Sequence, residues 1–146
     1  MQFGRRLANL AFAAHGVPSW SYRFDVVPPY MPGYIGATHF QEVAFTFANT
    51  LAAGYPEGEN PFAGDRSEKL TALARTMSTA WVNFITVQNP NGPDGGETWP
   101  VYDAEVGGGV GQNMVWTEDG GYVEHDSFRA QGINYFIENS ASVFGL

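Results

Sequence analysis

The sequence predicts an α/β fold, rich in helix around one sheet strand, and three observations carry that prediction. Apolar residues recur with helical period over about 2–14, 40–53, 67–88 and 127–143. One run, about 20–27, alternates as a strand does, and Gly/Pro-rich stretches separate these segments.

Residues 2–14 place Phe3, Leu7, Leu10, Ala11 and Ala14 on one helical face, and His15-Gly16 followed by Pro18 ends the helix. The Arg pair before an apolar run imitates a short signal peptide, but the amphipathic helix is the better reading. The strand WSYRFDVV alternates large residues with Ser21 and Arg23 and stops at Pro28-Pro29. From Phe40 onward, Val43, Ala44, Phe47 and Leu51 repeat with helical period, and GYPEGENPFAGD then reads as surface loop. Asp65 and Glu68 have the spacing of a capping box, ahead of a long helix marked by Leu70, Leu73, Ala74, Met77, Trp81, Phe84 and Ile85. NPNGPDGGE closes that helix, WPVY is a short packed extended piece, and VGGGVG reads as flexible linkage. NMVWTED is a short strand or extended strip. Asp126 is the expected N-cap of a last helix whose stripe is Phe128, Ile133, Phe136, Ile137 and Phe144.

A net charge of -8, from Lys+Arg 7 against Asp+Glu 15, with no basic cluster, leaves nucleic acid without an electrostatic footprint. With 44% hydrophobic and 15% aromatic residues, 146 residues are enough for a packed core. Cysteine is absent, so no disulfide framework or thiolate zinc site arises, and no apolar run approaches membrane-spanning length. Neither a cofactor nor a metal site is read from the sequence. Glu124, His125 and Asp126 are adjacent in an extended segment and cannot all point one way, so EHD reads as a solvated turn. His15 reads as a capping residue at a helix C-terminus, and Trp81, Trp99 and Trp116 read as core aromatics.

His39 stands apart from these. It lies in GYIGATHFQEVAFTF, after the strand and before a helix, where a loop at a sheet edge exposes an imidazole to partners. That stretch, with SWSYRFDV before it and MSTAWVNFI, NPNG and WPVY after it, resembles the last part of the type-B carboxylesterase/lipase family, from about Phe3 to the C-terminus. The family includes secreted fungal lipases and esterases and the cholinesterases. The resemblance implies an α/β-hydrolase fold, a Ser/acid/His triad with His39 at the histidine position, a carboxylic ester or lipid substrate in the full-length protein, and an extracellular location.

The rest of the triad is not visible. No G-x-S-x-G occurs, and Asp25, the only carboxylate before His39, sits in the strand, away from the family's acid position. Glu42, three residues after His39, reads as a structural carboxylate. A lone strand would also leave its backbone groups unpaired. The expectation is therefore that residues 1–146 are the C-terminal part of one α/β-hydrolase domain, with Met1 at a truncated start and the nucleophile elsewhere. Such a segment would be inactive alone and would self-associate through exposed apolar faces. A non-catalytic interaction module or relic of the family is the competing expectation.

Overall fold

The computed structural model describes residues 2–93 and 98–145. Its elements are α1 (Gln2–Ala14), β1 (Tyr22–Phe24), a 3-10 turn (Gly33–Ile35), α2 (Val43–Thr46), α3 (Ser67–Val87), α4 (Val106–Gly109), β2 (Gln112–Thr117), β3 (Gly120–His125) and α5 (Ala130–Phe144). The strands form one sheet in the order β1-β2-β3. Met114 N donates to Ser21 O at 3.0 Å and Asp25 N donates to Trp116 O at 2.9 Å, a pairing that advances in the same sense along both strands, so β1 and β2 run parallel. β2 and β3 are a hairpin, turned at Glu118-Asp119 where Thr117 Oγ1 donates to Gly120 O at 2.9 Å.

The sheet corrects the expectation of a lone strand. β1 is shorter than 20–27; the strip NMVWTED is its partner β2, and the third strand, β3, begins at Gly120-Gly121, where the sequence shows no strand pattern. The Asp119-Gly120 dipeptide is a hairpin signal, and Gly120 supplies the φ of 115° used there.

Two compact units divide the chain. The first comprises Met1–Tyr22, Trp99–Met114 and Val123–Leu146. In it α1 ends as expected: Gly16 has φ 66°, Val17 N closes onto Phe12 O at 2.9 Å, and His15 Nδ1–H donates to Ala11 O at 2.8 Å. The buried face of α1 is not the apolar one read from sequence. Arg6 and Asn9 are buried, whereas Leu7, Ala11 and Ala14 are exposed. Arg6 turns inward because of Asp126, 1% exposed, which takes hydrogen bonds from Arg5 at 2.7 and 3.0 Å and from Arg6 at 2.9 and 3.1 Å, while Asn9 donates to Arg5 O at 2.8 Å. Burial alone would raise the Asp126 carboxyl; the Arg6 and Arg5 hydrogen bonds and charges overcome that and hold it below the usual carboxylate range. Asp126 is thus an ion-pair acceptor and not an N-cap. The residue before α5 is Arg129, at φ 54°, and among the described side chains of α5 Ile133 alone is buried, with Phe128 and Phe136 exposed. Phe144, expected in that stripe, has a side chain outside the described residues.

Trp99 is buried in the same unit and donates from Nε1 to Ser21 O at 2.9 Å. Gly107 of α4 is not loose linkage either. A Cβ on Gly107, which has φ 66°, would lie 2.6 Å from His125 Nδ1.

The second unit comprises Arg23–Thr98 and Val115–Tyr122. Its core joins Val26, Phe45, Phe62, Val115 and Trp116 to the α3 stripe Leu70, Leu73, Ala74, Met77 and Ala80. Phe45, fully buried, packs against Phe24 at 5.1 Å and Phe62 at 4.9 Å. α3 begins without a capping box, since Arg66 occupies the cap with no side-chain bond. The Arg66 guanidinium instead reaches Glu118 at 2.6 Å and Val27 O at 3.0 Å. α3 stops at Gln88, φ 57°, before Pro90, and its last turn leaves Phe84 and Ile85 exposed and Trp81 half-buried. Of the turn signal after it, Asp94 to Glu97 lie outside the described residues.

The helix expected over 40–53 shrinks to α2, Val43–Thr46. Phe40, Ala48 and Ala52 have φ of 78°, 47° and 52°, which no helix accommodates. Asn49 stabilises the irregular chain by donating from Nδ2 to Ala53 O and accepting at Oδ1 from Ala53 N, both at 3.0 Å. No helix among the described residues is long and apolar enough to cross a membrane.

Candidate functional site

His39 occupies the exposed apex of a turn spanning Thr38 to Gln41, within the second unit. Thr38 O accepts from Gln41 N at 3.5 Å, and Thr38 N donates to the Gln41 side-chain Oε1 at 2.8 Å. Phe40, at φ 78°, takes the position where a type II turn wants glycine, a left-handed conformation that costs an L residue roughly 1–2 kcal/mol. The imidazole meets the Phe40 ring edge-on at 6.3 Å and, among the described residues, makes no hydrogen bond or ion pair.

Phe40 is also one wall of an open groove of about 480 Å³ lined by Val43, Phe47, Tyr55, Pro56 and Glu59. Burial, then the neighbouring Glu42 carboxylate, raises the Tyr55 phenol above its usual value. Tyr30 is raised by burial and by Tyr55 and Glu59. Glu42, half-buried at the start of α2, therefore sits in the field of Tyr55, and it forms no ion pair with His39. Asp25 is engaged with Arg23 at 2.8 Å. Neither carboxylate orients the imidazole here. No group of three or more His, Cys, Asp or Glu side chains among the described residues could hold a metal ion.

The site can therefore present an imidazole to a reacting group beside an apolar surface, which is what a general base requires of its loop. The sequence singles out His39 but not the Gln41–Thr38 bond, whose only signal is a polar residue two places after the histidine.

The profile of the carboxylesterase family matches residues 3–112. A medium-chain fatty acyl-CoA hydrolase precursor of Anas platyrhynchos is 33% identical over 94 residues, covering 62% of this chain and 15% of that protein. A phenmedipham hydrolase of Pseudarthrobacter oxydans is 30% identical over 91 residues, covering 60% of this chain and 17% of its own length. Among solved structures, a carboxylesterase of Geobacillus stearothermophilus superposes with a TM-score of 0.61 at 30% identity, over 86% of this chain and 24% of that one. The chain thus spans well under a third of the relatives it matches. Its helix-rich architecture with a small sheet is that of an α/β-hydrolase segment, and the chain belongs to the carboxylesterase family.

Proposed function

We propose that this chain carries the catalytic histidine of a carboxylic ester hydrolase of the carboxylesterase or lipase type. The observation that carries the proposal is the exposed His39 on a strained turn, inside the matched region and next to Phe40, which lines an open groove. His39 acts first as general base on a serine and then as general acid toward the leaving alcohol. The serine, the orienting acid and the oxyanion donors come from outside these 146 residues, in keeping with the lack of a G-x-S-x-G and of a carboxylate paired with His39. Residues 1–146 are then the C-terminal part of one carboxylesterase domain, inactive alone. Its substrates are carboxylic esters, with fatty acyl thioesters as the class that the Anas platyrhynchos relative's name adds, and its location is extracellular, as the family resemblance implies.

The exposed Tyr34 and Leu51, both 90%, and Phe47, 77%, favour self-association of the isolated chain and keep a non-catalytic interaction module as the second reading. Hydrolysis of a short-chain p-nitrophenyl ester by the purified chain, beside His39→Ala, tests the placement of the nucleophile and the role of His39. The expected result is no turnover above buffer from either. Turnover that His39→Ala abolishes would overturn the placement of the nucleophile elsewhere, and turnover that it leaves intact would overturn the role of His39.

A further inference from the structure

We infer that Gln41 is a positioning residue for His39, holding the turn that aims the imidazole; this rests on the reading of His39 as the base. Gln41 is only 8% exposed, whereas Thr38, His39 and Phe40 around it are exposed. A buried amide beside an exposed turn needs a partner, and Gln41 finds it across the histidine: its Oε1 accepts from Thr38 N at 2.8 Å. The backbone closure of the same turn, Gln41 N to Thr38 O, is long at 3.5 Å, so the side-chain bond is the stronger of the two clamps. It also opposes the tendency of Phe40 to leave its φ of 78°, because relaxation of Phe40 would pull Thr38 and Gln41 apart. With Phe40 held, its ring stands 6.3 Å from the imidazole at an interplanar angle of 67°, which fixes one side of His39 and leaves the other open.

Two variants separate positioning from plain stabilisation. Gln41→Leu keeps the buried volume and removes the acceptor; Gln41→Glu keeps an acceptor oxygen at the same reach. In proton NMR of the 146-residue chain, the native His39 ring signals should show cross-peaks to the Phe40 ring and a ring-current shift. Gln41→Leu should weaken both and speed exchange of the Thr38 amide about tenfold, the loss of one ordinary hydrogen bond, and Gln41→Glu should restore them. Ring signals unmoved in Gln41→Leu would overturn the inference, even if the variant melts earlier, since that is what an anchor for α2 alone would do. Failure of Gln41→Glu to restore the signals would overturn it too. The reading of His39 as the base fails separately, through ester hydrolysis that survives His39→Ala.

Discussion

Replacing Asp126 by alanine removes the acceptor on which the first unit's charge burial depends. Arg6, with a side chain only 4% exposed, would lose two of its bonds and its counter-charge. Removing one partner of a buried pair costs about 3–5 kcal/mol, because the other charge stays buried. Arg6 keeps the carbonyls of residue 126 and Phe128 as acceptors, so the lower end, about 3 kcal/mol, is expected. For a chain of this length that is roughly 6–12 °C in Tm, readable by calorimetry or thermal circular dichroism. The pH dependence adds a second signature. The folded-state pKa of Asp126 lies below its ordinary value of 3.8, so its contribution is fully present above that pH and is lost as pH falls through the lower folded value. Wild type should lose stability steeply below about pH 3.8, whereas Asp126→Asn should lack that component. A loss below roughly 2 °C with an unchanged acid limb would refute the reasoning.

Three further outcomes follow from the same geometry. Phe45→Ala, emptying the fully buried centre shared with Phe24 and Phe62, should cost about 3–5 kcal/mol by denaturant titration. Trp99→Phe should cost about 1 kcal/mol on the same assay, through the lost bond to Ser21 O, which keeps Met114 N as its other donor. His39→Ala, at an exposed apex without polar partners among the described residues, should leave stability within about 0.5 kcal/mol.

Where apolar periodicity and packing coincide, the sequence is legible. α3 could be read because Leu70, Leu73, Ala74 and Met77 are both periodic and buried. α1 could be read as a helix but not for its buried face, because Arg6 is inward through a carboxylate 120 residues away. The span 40–53 kept helical spacing while left-handed φ at Phe40, Ala48 and Ala52 broke the helix, and no residue type there announces that geometry. At the site, His39 was legible through its flanking blocks. Gln41 was not, because its role depends on a hydrogen bond to the backbone of Thr38.

The most direct test of the account is a chimera of the Geobacillus stearothermophilus carboxylesterase in which the 24% of that chain matched here is replaced by these residues. In a chimera that melts cooperatively, the account predicts hydrolysis of a p-nitrophenyl ester that His39→Ala abolishes. Turnover that persists without the His39 imidazole would contradict it.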